Sequence, residues 1–423
     1  MLDVALDYLL NQTFGSLTAT FWFPLFVELP RFFVGGVVAG WFVLFHSRDA
    51  RRPDRGAGAI SVVVPGHNDS AALRRTVLSL REQTVDALQI IVVNDGSTDG
   101  TDATCRDLER RGLIDDYIHI RSRGGKAAAV NAALGIARHD LFLVTDSDTT
   151  FDRDALAIAA GYFRDPRVGA VGGTLRVRNI GRSLATGVQH VNYAFSITLG
   201  RIVKDMLGFY FVASGAFGMY RTAAVRAVGG WDFGPGEDGD IVTRLRLAGW
   251  RARFAPFAVA MTEVPATFVK LGRQRLRWDR SMIRNRYRKA GPYVLDPRNA
   301  NFDTAFAVSF LDIFFFNGLV PFLFLVYGAY LAGVYGPFAA TLLLSVQLFY
   351  ISAGLLKYLI ALSVSTRPRE DLRYLAFVPL YSLINVYFLR FVRLYATANE
   401  LVARGSYTDP YVPAKVRARV RRY

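Results

Sequence analysis

The 423-residue chain contains a single cysteine, Cys105, so no intramolecular disulfide can form. That fits a reducing compartment, and Cys105 reads as a small buried hydrophobe. Acidic side chains are also in short supply, 35 against 51 basic ones, for a net charge of +16. Such an excess fits either a nucleic-acid partner or the positive-inside bias of a membrane protein facing anionic lipid. A basic leader is missing too. The first charges are Asp3 and Asp7, so the first hydrophobic stretch does not read as a cleavable signal peptide. Apolar residues, in contrast, make up 52% of the chain and aromatics 13%. The mean hydropathy of +0.22 points to membrane spans and favours the lipid explanation of the charge.

Apolar segments lie at both ends. Residues 21–45 are long enough for one span, although Glu28, Pro30 and Arg31 interrupt them. Arg48, Arg51, Arg52 and Arg55 follow and place that flank in the cytoplasm. Residues 306–334 and 338–364 read as a helical hairpin turning at Tyr335, Gly336 and Pro337, with its tip outward. A third segment, 374–392, holds Pro379, Asn385 and Arg390. Counted as a span, it would put the basic tail 412–423 outside, against the charge rule. Either this segment is re-entrant or interfacial, or the count is wrong.

Between the apolar ends the pattern alternates. Residues 60–64, 89–94, 117–120, 141–146 and 168–173 look like buried strands. Helical stretches 70–83, 101–111, 126–138 and 152–163 separate them. This order predicts an α/β, doubly wound, mostly parallel sheet. Ligands on such sheets bind at the C-terminal strand ends, which directs attention to five places.

Pro65, His67 and Asp69 follow the first strand. Asp95 ends the second, and serves equally as a turn and cap residue or as an acceptor for a nucleotide base. Gly124, Gly125 and Lys126 open the helix after the third. A lysine at the positive end of a helix dipole is poorly placed unless an anion joins it. Asp146 and Asp148 end the fourth strand. Paired carboxylates repel unless a cation joins them, and Mg²⁺ typically combines one or two carboxylates with phosphate oxygens. Further on, a Gly/Pro-rich turn delivers Glu237, Asp238 and Asp240. Asp240 reads as a helix cap, and Asp238 as a cap or a general base.

Together these motifs resemble the processive, membrane-embedded branch of the family 2 glycosyltransferases, which have the GT-A fold. That branch holds the hyaluronan, chitin, poly-N-acetylglucosamine and cellulose synthases. The likeness covers about Ile60 to Asn285. Ser214 to Arg221 and the Gly-Glu-Asp at 236–238 are most similar to the hyaluronan and oligochitin members; Gln274, Arg275, Arg277 and Trp278 match the Gln-x-x-Arg-Trp signature of processive members.

The resemblance implies nucleotide contacts at Pro65, His67, Asp69, Asp95, Lys126 and Asp146. It implies a Mg²⁺ or Mn²⁺ site at Asp146 and Asp148, and a catalytic base at Asp238. It puts Ser214, Gly215, Glu237, Gln274, Arg275, Arg277 and Trp278 around the acceptor and pyrophosphate. The implied partners are a UDP-sugar (UDP-N-acetylglucosamine before UDP-glucose), a growing β-linked glycan and the lipid bilayer. An accessory membrane subunit or a homo-oligomer is compatible with it; nucleic acid is not implied. Three departures stand out: Gly239 and Asp240 where many members have Arg-His, the form of residues 65–69, and Tyr407 where a gating or priming loop often shows Trp.

The expected plan has five parts: an N-terminal membrane segment 1–55, a cytoplasmic catalytic domain 56–270, amphipathic interfacial helices 271–300, a transmembrane region 301–400 with two or three spans, and a basic tail 401–423. The protein would sit in the cytoplasmic membrane. The basic stretch 270–291 would then divide, its first arginines facing substrate phosphate and those from Arg280 to Lys289 facing lipid phosphates.

Overall fold

The computed structural model describes residues 10–420 except 55, 57 and 419. Asp3, Asp7, Arg55 and the end of the basic tail lie outside the described residues.

Four strands, β1 (Ala59–Gly66), β2 (Ala87–Asp95), β3 (Asp116–Ile120) and β4 (Leu141–Thr145), pair in parallel. The apolar runs of β1, β2 and β4 are buried, as a sheet covered on both faces requires, while β3 at the edge is only half-buried. The covering helices bury one stripe each. In Ser70–Arg81 the stripe is Leu73, Thr76, Val77 and Leu80, a helical repeat.

The sheet continues through β5 (Thr150–Phe151), β6 (Val168–Val177), β7 (Phe217–Arg221) and β8 (Arg251–Thr262), in the spatial order β3-β2-β1-β4-β7-β6-β8-β5. β7 runs antiparallel to both of its neighbours, β4 and β6, while β6 and β8 are parallel. The eight-stranded sheet is therefore mixed, wider and less uniformly parallel than the repeating pattern predicts.

Three helical stretches are long and apolar enough to cross a membrane: Phe23–Phe45, Thr304–Ser363 and Pro368–Ala403. The second reverses at Gly336–Phe338, close to the expected turn, where Gly336 takes a positive φ of 55°. Its two arms share a core of Phe324, Tyr327, Leu331, Leu342 and Val346, and Phe23 joins it.

The third stretch is tied down at both ends. Asp371 near its start pairs with Arg176 on β6 at 2.6 Å, and Glu400 near its end pairs with Arg288 at 2.8 Å. Its middle meets the hairpin, Gln347 Nε2 donating to Ser382 Oγ at 2.9 Å, and the first helix, Arg390 pairing with Glu28 at 2.7 Å. One end is thus tied to β6 and the other to Arg288 in the basic stretch that follows β8.

The tail follows the same logic. Lys415 Nζ donates to the Ser122 carbonyl at 2.6 Å, and Pro413 packs on Gly125. Residues 404–418 therefore lie against the loop between β3 and the helix Lys126–Ile136.

Candidate active site

The strand ends converge as the topology requires. Asp95, buried at the end of β2, accepts hydrogen bonds from the amides of Gly124 at 2.5 Å and Gly125 at 2.7 Å. Gly125 has φ +82°, a conformation that turns its amide into the site and costs a residue with a side chain energy. His67 Nδ1 lies 2.9 Å from the Asp95 carbonyl. Asp69 accepts from Ser147 Oγ at 2.7 Å, which joins the first loop to the fourth. Pro65 is the exception: it lies within β1, paired with Val93.

Lys126 stands at the start of its helix, as the sequence places it. Its Nζ contacts Asp146 and donates to the Gly215 carbonyl at 2.8 Å. Burial alone would lower its pKa, but the charges of Asp146, Glu237 and Asp238 outweigh that and raise it. Lys126 is therefore a fixed cation at the bottom of the site.

Gly215 sits between two charges. Its amide donates to Asp238 Oδ2 at 3.2 Å, and the Gly239 amide donates to Asp238 Oδ1 at 2.8 Å. Ser214 anchors this loop by accepting the Phe217 amide at 2.9 Å. Asp238 is delivered by the turn at Gly236, whose φ of +75° starts the helix Glu237–Leu247. A Cβ there would come within 2.8 Å of Ser281. Beside Asp238, burial and that neighbour push the Glu237 carboxyl up to about 7. Asp240 does not cap its helix; it pairs with Arg244 at 2.8 Å and Lys289 at 2.6 Å.

Asp148 is pushed up to about 6 by burial and by the charges of Asp146 and Asp69. Among the described residues no group of three or more His, Cys, Asp or Glu residues is arranged to hold a metal ion on its own. The two-carboxylate pair nonetheless suits a hard divalent cation that takes its remaining ligands from phosphate and water. The excess negative charge around Asp148 is the observation that fits such an ion. Arg178 lies near Asp148, and its Nη1 is buried without a hydrogen-bond partner. Neither Arg178 nor Ser147 stood out in the sequence. Ser147 lies between the two aspartates and was legible there; Arg178 lies past the end of β6, with no local signal.

The Gln-x-x-Arg-Trp residues are placed differently from one another. Arg275 turns away from the carboxylates, donating to Asn192 Oδ1 at 2.9 Å and covering the Trp278 ring at 4.4 Å. Arg277 lies 3.8 Å over the ring of Tyr411 in the tail. Gln274 Oε1 is buried without a hydrogen-bond partner, and Trp278 stays 39% exposed. The later cations of the stretch face inward: Arg284 is buried against Asn285 and Gly234, Arg288 pairs with Glu400, and Lys289 bridges Asp232 and Asp240. The lipid-facing role expected of Arg284, Arg288 and Lys289 is not what the structure shows, because carboxylates compete for Arg288 and Lys289 and the Asn285 amide oxygen takes Arg284.

A mixed α/β sheet with acidic strand ends and a base-like aspartate in a glycine turn has the GT-A architecture. A mannosyltransferase from Pyrobaculum calidifontis, solved with GDP-mannose and Mn²⁺, shares it: the TM-score is 0.56 at 20% identity over 84% of this chain and 99% of that one. Residues 61–229 match the model of glycosyl transferase family 2. The poly-β-1,6-N-acetyl-D-glucosamine synthase of Staphylococcus aureus is 31% identical over 222 residues, and that of Staphylococcus epidermidis 28% over 221. In each case the match covers 52% of this chain and 53% of the relative, so the chain spans about half the length of the curated relatives it matches.

Proposed function

We propose that the protein is an inverting UDP-sugar hexosyltransferase that extends a β-linked glycan, with UDP-N-acetylglucosamine the favoured donor and UDP-glucose the second choice. The observation that carries this reading is the convergence of Lys126, Asp146, Gly215 and Asp238 within hydrogen-bond reach of one another.

In this reading Asp95 keeps a free lone pair on each carboxylate oxygen for a donor on the base, because the glycine amides fix its orientation. Asp238, held by two amides, takes the proton of the acceptor hydroxyl as that oxygen attacks the anomeric carbon; UDP leaves on the opposite side. A single in-line displacement inverts the configuration and gives the β-linkage. Lys126 faces the departing diphosphate and offsets its charge. Asp146 and Asp148 would hold Mg²⁺ or Mn²⁺, which when bound supplies electrostatic stabilisation of the diphosphate. Trp278 offers an exposed flat surface to an acceptor sugar, and Arg277 with Tyr411 closes that side.

The same reading sets Phe23–Phe45 and the two arms of the hairpin across the cytoplasmic membrane, with the catalytic domain and the tail 404–418 on the cytoplasmic side. Processive extension and passage of the product through the bundle belong to this reading too, supported by Gln274 to Trp278 beside the apolar helices. The test is turnover of a panel of UDP-sugars by the purified protein with Mg²⁺ or Mn²⁺, followed by sizing and linkage analysis of the product. A polymer supports the full reading, and a single added sugar replaces it with a non-processive transferase. No UDP release from any donor overturns it.

A further inference from the structure

Below the catalytic domain, where Phe23–Phe45 meets the hairpin, four cations face one another across different elements. Arg31 on the first helix pairs with Asp312 at 3.1 Å and lies 3.9 Å over the Phe316 ring. Lys204, on the helix Gly200–Met206, feels the charges of Arg31, Arg286 and Arg201 against the single carboxylate Asp312. Arg286 lies 4.1 Å over the ring of Phe211, and Lys204 lies 5.5 Å from the same ring. Lys357, on the inner part of the second hairpin arm, feels Arg31 and lies 4.8 Å over Phe195. Gly36 and Ile360 touch in the same region, so the first helix and this arm are in direct contact.

The charge balance here differs from that of the rest of the molecule. Several buried cations elsewhere have carboxylates: Arg176 has Asp371, Arg288 has Glu400 and Arg390 has Glu28. Among the described residues, the amines of Lys204 and Lys357 neither form an ion pair nor donate a hydrogen bond. Arg286 likewise has no carboxylate partner among them. Burial and the neighbouring arginines lower Lys204 to about 7, the cost of holding like charges together without a counter-ion. Cations that converge on one place without carboxylates mark an anion site, and at the junction of apolar helices such residues are functional candidates. Aromatic rings lie against the charged ends, neutral partners that leave the positive charge uncancelled.

We propose that Arg31, Lys204, Arg286 and Lys357 form a cradle for a phosphate group, carried by an anionic lipid of the inner leaflet. This rests on the membrane orientation given above but not on the transferase reading, because lipid retention is read without turnover; of the four cations, Arg286 also feels the charge of Asp238. A phosphate there would supply the missing negative charge and tie the first helix, the catalytic domain and the hairpin together at one point. Free phosphate shares the chemistry, and the experiment separates the two sources.

The test uses the full-length protein in detergent and in nanodiscs, read by native mass spectrometry and thermal unfolding. The wild-type protein should retain phosphatidylglycerol in preference to phosphatidylcholine and unfold at higher temperature with it. Inorganic phosphate in detergent is the second arm: stabilisation by phosphate without lipid selectivity keeps the cradle and replaces the lipid by a soluble anion. Lys204→Gln with Lys357→Gln should weaken phosphatidylglycerol retention about 25-fold, at about fivefold for each lysine. Lys204→Arg with Lys357→Arg should retain it. No preference for phosphatidylglycerol and no response to phosphate in the wild-type protein overturns the proposal, whatever the variants do. UDP-sugar turnover is measured alongside; its absence with lipid selectivity intact would count against the transferase reading alone.

Discussion

The two halves of the molecule use charge in opposite ways. In the half built on β1 to β4, carboxylates stand at strand ends and their partners are close in the chain or are backbone amides: Asp95 is held by Gly124 and Gly125, and Asp146 and Asp148 share one loop. In the helical half, cations dominate and reach far along the chain for carboxylates. Arg288 meets Glu400, Arg176 meets Asp371, and Arg390 meets Glu28. The first arrangement leaves charges available to a ligand; the second consumes them in holding helices to the catalytic domain. A dense run of arginine is thus no sign of a polyanion partner until its internal partners are known. An aspartate oriented by glycine amides, with lone pairs to spare, is better placed to take a ligand.

That contrast can be broken most sharply at Asp238. Asp238→Asn should lower sugar transfer by about 10²- to 10⁴-fold while UDP binding, measured by calorimetry, persists. Survival of transfer would remove Asp238 as the base. In the helical half the corresponding change is Glu400→Gln, which strips Arg288 of its counter-charge in a buried place. It should destabilise the fold by about 3 kcal/mol in detergent unfolding. Gly236→Ala should cost about 1–3 kcal/mol, and lower turnover as well, because the turn it strains carries Asp238.

A smaller effect separates the halves by pH. Asp148 and Glu237 are raised, to about 6 and about 7, by burial and neighbouring carboxylates. A carboxyl raised on folding contributes stability that is complete below its unfolded pKa and lost as pH rises through the folded value. The cation-free protein should therefore lose stability between about pH 4 and 7, and Mn²⁺ should restore it at pH 7.5 far more than at pH 5. An unchanged response to Mn²⁺ across that range would count against the metal pair. Least of all, Asp296→Asn should leave the melting temperature unchanged, because its partner Arg298 is largely in solvent.

The first half was the more legible one. Strands β1, β2 and β4 carry continuous apolar runs, and the ends of β1 to β4 fall in the short loops where Asp95, Lys126, Asp146 and Asp148 were expected. β7 and β8 were not recognised as strands. The first lies in a glycine-rich motif and the second carries Arg251, Arg253 and Pro256, so neither shows a clean period. Asp240 read as a cap because an aspartate before a helix usually caps it; its pairing with Lys289 is set by a helix about fifty residues on, which no local window contains. The anchoring of the last apolar stretch was hidden for the same reason: Arg176 and Arg288 provide it, and both are remote in sequence.

The antiparallel strand β7 also bears on the order in which the sheet can assemble. Strands β1 to β4 all lie between residues 59 and 145 and pair with one another, so this half closes from one contiguous stretch of chain. The seam between β4 and β7 cannot close until residues 217–221 are present, and the turn that bears Asp238 comes later still. During synthesis this half is thus the natural first folding unit. Asp238 is added afterwards, facing strand ends that are already in place.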